Sequence, residues 1–357
     1  MKGEVLYSNH GLTVTVSTYA LLFKYPFRLA HGSRKRTSAV FLTLREGEIT
    51  AYGEAALPPY LGTEADQVIE FLRRLPFRQM VNLPLSEAAQ QIDAVAPGMH
   101  AAKTCADMAL HDLHARRAGV SLRDFLNFPG KEPVHTTYTL GLSTPRELRV
   151  KLREADPFRM LKLKLGGPDD TERIKQFRQL TAKPFCADIN QGWTDRTQAA
   201  RTAEVLGAEG CIFIEQPFAP GREGDVQWLR ERVPVPVIAD ESVRRYDEMM
   251  QVISVYDGVN IKLMKSAGIR EAAAMTAELR RRGKTVVLGA MAESSCGATA
   301  AAHLAGEADY VDLDAPLLIT NDPFSGITYR NGAVVLPEQP GTGVQLSDDT
   351  RSARTPH

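Results

Sequence analysis

Cysteine is scarce in this chain. Cys105, Cys186, Cys211 and Cys296 are widely spaced in 357 residues and form no CxxC pair, which argues against a disulfide framework or a zinc site and for buried thiols in a reducing cytoplasm. An excess of either charge is missing too. The 43 Lys and Arg balance the 43 Asp and Glu, so composition gives no support for a nucleic-acid partner. No apolar run is long enough to span a bilayer, and the start, Met1-Lys-Gly-Glu leading into Leu12-Thr-Val-Thr-Val-Ser17, has no apolar core of signal-peptide type. Neither a membrane nor a polyanion is therefore an expected partner. No GxGxxG follows any strand-like run, which leaves an open dinucleotide-binding sheet unsupported.

What is present is an ordinary globular composition, 43% apolar and 24% charged, in a chain long enough for two domains or a barrel with an added layer. Residues 1–56 read as β structure, with alternation at 12–18 and 38–44 and turns marked by Pro26 and by His31-Gly32. The proline-rich Leu57-Pro-Pro-Tyr-Leu-Gly62 is a loop. Helical spacing follows at 64–74, 86–95 and 101–118. From about residue 134 short apolar strands alternate with charged helices. Strands are expected at 136–142, 160–165, 185–190, 211–215, 235–240, 258–263, 285–289 and 310–314, with helices at 170–180, 196–206, 225–232, 247–255 and 269–282. Eight alternating βα units argue for a parallel α/β barrel over an open sheet. A hairpin-like pair surrounds Asn331-Gly332.

The stretch Met160-Leu-Lys-Leu-Lys-Leu-Gly166 anchors the chemistry. In an extended chain Lys162 and Lys164 share one face, roughly 7 Å apart, and each ammonium disfavours charging of the other. A lysine lowered in this way becomes a usable base. Other polar residues cluster where the strands should end, which is the active face of such a barrel. Asp188 with Asn190, Asn260 with Lys262, and Asp312 with Asp314 are i, i+2 pairs on one face. Asp188, Glu215 and Asp240 come from three consecutive strands and make an all-oxygen site suited to a hard cation, magnesium above all. A single Asp there would read as a helix N-cap, but three together do not. Lys164 and Lys262 come from strands two and six of eight, so a substrate held between them has a base on each face.

The motifs Leu161-Lys-Leu-Lys164, Asp188-Ile-Asn-Gln-Gly-Trp193, Ile214-Glu-Gln-Pro217, Ala239-Asp-Glu-Ser242, Asn260-Ile-Lys-Leu-Met-Lys265 and Asp312-Leu-Asp-Ala-Pro316 resemble the enolase superfamily, muconate-lactonizing subgroup, and within it the dipeptide epimerases. The resemblance implies a (β/α)7β modified TIM barrel with an N-terminal α+β capping domain. It divides the chain into a cap at 1–127 with 321–346 packing back on it, a barrel at 128–320 and a flexible tail at 347–357. It also implies Mg2+ on Asp188, Glu215 and Asp240, Lys164 and Lys262 as the acid/base pair, and Lys162 as charge support. The expected reaction is 1,1-proton transfer at the α-carbon of a dipeptide's C-terminal residue, through an ene-diolate. Asp312 and Asp314 would receive the substrate's ammonium, which argues against the alternative, an o-succinylbenzoate synthase or muconate cycloisomerase. Asn190 and Glu241 are expected beside the ligands. In the specificity loop around His31 and Gly32, the place where glutamate-specific epimerases carry arginine falls on Gly32 by ungapped counting. A preference not restricted to glutamate is the expectation, with Tyr60 and Met291 lining the pocket. Neutral charge is compatible with a monomer, a dimer or a larger ring.

Overall fold

A computed structural model describes residues 2–29, 32–128, 130 and 133–347. The alternating N-terminal residues build an antiparallel meander, β1 (Lys2–Asn9), β2 (Leu12–Leu29), β3 (Gly32–Glu46) and β4 (Ile49–Leu57), paired in chain order. Val14, Val16, Val40, Leu42 and Leu44 are buried in a core shared with helices Ala65–Arg73, Leu85–Val95 and His100–Ala118. The last of these ends at Gly119 in the left-handed conformation, whose N–H caps the final turn. It crosses β4 so closely that a Cβ at Gly53 would lie 1.9 Å from the Cys105 carbonyl oxygen. Because that neighbour is backbone, Gly53→Ala is expected to lower unfolding free energy by about 3 kcal/mol, measurable by denaturant titration.

β2 and β3 run well beyond the alternating stretches, and Pro26 lies inside β2 rather than at a turn. The ladder pairs Leu22 with Arg36 and then Phe27 with Arg34. Residues 23–26 bulge out between them, which is how a residue without an N–H fits in this strand. Leu29 pairs with Gly32; the turn expected at His31-Gly32 involves His31, which lies outside the described residues.

All eight expected barrel strands form: β5 (Thr137–Leu140), β6 (Met160–Lys164), β7 (Phe185–Asp188), β8 (Cys211–Glu215), β9 (Val237–Ala239), β10 (Gly258–Lys262), β11 (Thr285–Gly289) and β12 (Tyr310–Asp312). They pair in parallel, β5 through β12 in chain order, and a parallel bridge from Thr136 to Val311 closes the barrel. The expected helices appear as Asp170–Leu180, Arg196–Ala208, Glu223–Arg230, Tyr246–Val252 and Ile269–Arg281. Inside, Cys186, Phe213, Ile238 and Val287 form a small apolar cluster of their own. Two residues further along the chain from each stand Asp188, Glu215, Asp240 and Gly289, so the charged layer rests on an apolar plug.

After β12 the chain returns to the N-terminal sheet. Phe324 lies 4.9 Å from the Phe41 ring and 5.2 Å from that of Tyr52, and Asn321 Oδ1 accepts from the Leu22 N–H at 2.7 Å. Thr328–Arg330 pairs with Ala333–Val335 across Asn331-Gly332. Of the expected tail, residues 348–357 lie outside the described residues. Among those described, all four cysteines are free and buried, and no helix is long and apolar enough to cross a membrane.

Candidate active site

β7, β8 and β9 deliver three buried carboxylates to one point. The candidate ligand oxygens of Asp188, Glu215 and Asp240 lie within 4.8 Å of one another. Lys162 stands in the middle of the layer, its Nζ 3.0 Å from Asp188, 2.8 Å from Glu215 and 2.7 Å from Asp312. Lys164 donates to Asp188 at 2.6 Å on one side, and Lys262 donates to Asp240 at 2.7 Å on the other. Asn260 donates to Glu215 at 2.9 Å. Thr137 donates to Asp312 at 2.8 Å, and Thr139 holds Asp314 through its N–H at 2.5 Å and its hydroxyl at 3.2 Å.

The expected lowering of a lysine by its lysine neighbour does not occur at Lys162. Burial opposes its charge, but Asp188, Asp312 and Glu215 outweigh burial and raise its pKa well above the ordinary value. Lys262 is likewise raised, Asp240 outweighing burial. Two ammonium groups on one strand face repel, but the carboxylates between them outweigh that repulsion. In turn, burial of Asp188 and Asp240 is overcome by the lysines, which hold both carboxyls below the usual range. Glu215 behaves oppositely. Burial and the Asp188 charge push it up to about 8.

Face parity holds for Lys162 with Lys164 and for Asn260 with Lys262, all within strands. It does not carry Asn190 or Asp314. β7 ends at Asp188, Asn190 follows with φ 46°, and β12 ends at Asp312. Turn geometry, not strand alternation, brings these two to the site. Asn190 donates its N–H to Asp188 at 3.0 Å and its amide to Glu241 at 3.4 Å.

Above the charges is a cleft of about 610 Å3 of empty space, lined by Lys164, Lys262, Asp240, Glu241, Asp312 and Asp314 and walled by Phe23, Phe27, Arg34, Tyr60, Met291 and Leu318. Tyr60 and Met291 therefore sit where the sequence placed them. Gly32 does not. It lines a separate open groove with Arg28 and Ser33. The bulge in β2 accounts for this. It turns Phe23 and Phe27 toward the barrel mouth and sets Arg34 opposite Phe27, its guanidinium 5.5 Å from each ring. Arg34 Nε is buried with no hydrogen-bond partner among the described residues.

Two further groups went unassigned in the sequence reading although both lie in quoted motifs. Gln216, fully buried with φ 39°, accepts from the Asp240 and Ser242 N–H groups at 2.8 and 3.0 Å, which ties the end of β8 to the end of β9. Lys265 is buried beneath Asp240, bonding its carboxylate and, at 3.1 Å, the Asn260 carbonyl. Its spacing of three from Lys262, one helical turn after the strand, was the signal available.

Six carboxylates, Asp188, Glu215, Asp240, Glu241, Asp312 and Asp314, thus face four lysines, 162, 164, 262 and 265. With all of them ionised, two negative charges are left over. Buried acceptors without a partner among the described residues, Glu241 Oε2 and Asn260 Oδ1, adjoin the triad. An all-oxygen donor set with a deficit of two positive charges fits a hard divalent cation.

Comparisons with known proteins agree with this architecture. Residues 12–127 match the family described as mandelate racemase / muconate lactonizing enzyme, N-terminal domain, and residues 146–350 match the enolase C-terminal domain-like family. The chain is 36% identical over 335 residues to the L-Ala-D/L-Glu epimerase of Bacteroides thetaiotaomicron, covering 93% of this chain and 88% of the relative. It is 32% identical over 305 residues to an L-Ala-D/L-amino acid epimerase of Pedosphaera parvula, covering 84% and 88%. A solved dipeptide epimerase from Cytophaga hutchinsonii, complexed with Mg and D-Ala-L-Val, superposes with a TM-score of 0.86 at 27% identity, over 95% of this chain and 97% of the other.

Proposed function

The chain belongs to the mandelate racemase / muconate lactonizing enzyme family, and from that premise we propose that it is a magnesium-dependent dipeptide epimerase inverting the α-carbon of the C-terminal residue. The observation that carries this reading is the pair of lysines on opposite sides of one carboxylate triad, Lys164 at Asp188 and Lys262 at Asp240. An α-proton beside a carboxylate is a very weak acid, because removing it places a second negative charge on the group. Asp188, Glu215 and Asp240 would hold Mg2+, which when bound supplies Lewis-acid stabilisation of that charge and draws on the carboxylates that otherwise hold the lysine protons. One lysine, neutral, removes the α-proton from its face. The other, as an ammonium, returns a proton from the opposite face, and the product has inverted configuration. Lys162, wedged among Asp188, Glu215 and Asp312, fixes the carboxylate layer and adds positive charge beneath the substrate carboxylate.

The other end of the dipeptide is assigned by charge. Asp312 already has Lys162, whereas Asp314 is hydrogen-bonded only to Thr139 and forms no ion pair among the described residues. Burial and the Asp312 charge push Asp314 up to about 7. A substrate α-ammonium supplies the cation it lacks. No such group exists on the substrates of the cycloisomerase alternative.

Arg34 sets the side-chain preference in this reading. Its guanidinium faces the cleft and forms no ion pair with a carboxylate among the described residues, so an acidic C-terminal side chain is favoured, while Met291 and Leu318 still admit apolar ones. The expectation of a preference not restricted to glutamate is kept, with Arg34 in place of position 32 as the residue that favours an acidic side chain. Arg34→Ala is expected to lower kcat/KM for L-Ala-L-Glu about 30-fold, as loss of a charged hydrogen-bonded contact does, and to change that for L-Ala-L-Leu by less than about threefold. Diastereomer-resolved chromatography of a small L,L-dipeptide set with Mg2+ tests both claims. Equal losses on both substrates would remove Arg34 from the specificity wall, and no diastereomer from any peptide would remove the epimerase reading.

A further inference from the structure

Behind the cleft lies a second pair of buried acids that the reaction above does not use. Glu54, on β4, is 0% exposed, and Glu293, four residues after β11, is 1% exposed. Glu54 is surrounded by donors. Its carboxylate accepts from the Ser294 N–H at 3.0 Å, the Ser294 hydroxyl at 2.6 Å and the Gly297 N–H at 2.8 Å. Glu293 receives a single bond, from the Met291 N–H to Oε1 at 2.7 Å, and its Oε2 has no partner among the described residues. The two Oε2 atoms share the space above Gly297. A Cβ built there would lie 2.5 Å from Glu293 Oε2 and 3.1 Å from Glu54 Oε2.

The groups facing the pair offer no full counter-charge. They are Cys105 from helix His100–Ala118, Cys296 from helix Ser295–Ala302, Asp322, which is turned to the Ser295 N–H and hydroxyl, and Lys262 from β10. Among the described residues neither acid forms an ion pair, and Lys262 is committed to Asp240. Two ionised carboxylates side by side in such surroundings would be costly.

We infer that Glu54 and Glu293 hold one proton between them, as Glu293 Oε2–H donating to an ionised Glu54, and that this neutral-plus-negative pair positions the two loops walling the cleft. The donor count sets the direction, since three donors favour the ionised form at Glu54 and only one serves Glu293. Burial pushes Glu54 up to about 7 and Glu293 up to about 8. The loops are reached directly. Glu293 fixes the backbone of Met291, and β4 continues from Glu54 into residues 57–62, which carry Tyr60.

The effect on substrate binding rests on the epimerase reading, whereas the shared proton does not. Glu293→Gln keeps both bonds, its amide NH2 replacing the O–H, so KM for the dipeptide stays within about twofold of wild type. Glu54→Gln and Glu293→Ala break the pair and raise KM about tenfold with kcat changed less than about threefold. The folded pair keeps a proton that unfolded glutamates have lost, so wild-type melting temperature falls as pH rises from about 5 to about 8 and Glu293→Gln flattens that fall. Infrared difference spectra of wild type against Glu293→Gln near neutral pH should show a protonated-carboxyl C=O band. Superimposable melting curves, or no such band, overturn the shared proton whatever the activity. Unchanged KM in Glu293→Ala, with wild type active, overturns the positioning role.

Discussion

Replacing Lys164 or Lys262 by alanine is expected to lower dipeptide epimerisation by about 10³-fold or more, in the upper range for a positioned general acid or base. Neither variant should unfold. Asp188 keeps Lys162 when Lys164 is removed, and Asp240 keeps Lys265 when Lys262 is removed. Each variant also retains one base, so each should still exchange the α-proton of one diastereomer with solvent but not of the other. Lys164→Arg and Lys262→Arg separate charge from basicity. A guanidinium preserves the positive charge beside the carboxylate but does not deprotonate, so these variants should be as inactive as the alanine ones. Activity in either arginine variant would mean that the lysines act only as fixed charges.

The second large effect is expected at the triad. Asp188→Asn, Glu215→Gln or Asp240→Asn removes one negative charge from a set that fits a divalent cation because two are in excess. Activity should fall by more than about 10³-fold, and chelation of wild type should do the same reversibly. Binding to the folded protein alone raises stability with ligand concentration, by about 2.7 kcal/mol at a hundred times Kd. Wild type should therefore melt at higher temperature as Mg2+ is added, and the three variants should not. A triad variant that gains as much thermal stability from Mg2+ as wild type would place the cation elsewhere.

The barrel was legible in the chain because each of its strands is a short apolar run bounded by charged helical stretches, a rhythm that local pattern records directly. The triad was legible for a related reason. Asp188 and Glu215 stand at the last position of their strands and Asp240 immediately follows Val237–Ala239, so position along the strand and site membership coincide. Ungapped counting fell on Gly32, with Arg34 close behind it, because residues 23–26 leave the ladder, and no spacing rule counts through a bulge. Asn190 and Asp314 were found by the right residue type through the wrong geometry, since both lie past the end of a strand. The protonation of Lys162 was not legible for a different reason. Lys164 is its neighbour in sequence, whereas the field at Lys162 is set by Asp188, Glu215 and Asp312 from three other strands. Charges that decide a buried group's protonation are tertiary contacts, and Glu54 and Glu293, far apart in sequence and joined over Gly297, show the same dependence.

The most direct test of the two-base account is proton NMR of L-Ala-L-Glu and a few L-Ala-L-X peptides in D2O with the purified protein and Mg2+. The account predicts loss of the α-proton signal of the C-terminal residue, retention of the alanine α-proton, and growth of the L,D diastereomer carrying deuterium at the inverted centre. An intact C-terminal α-proton with every peptide, under conditions where Mg2+ raises the melting temperature, would contradict it.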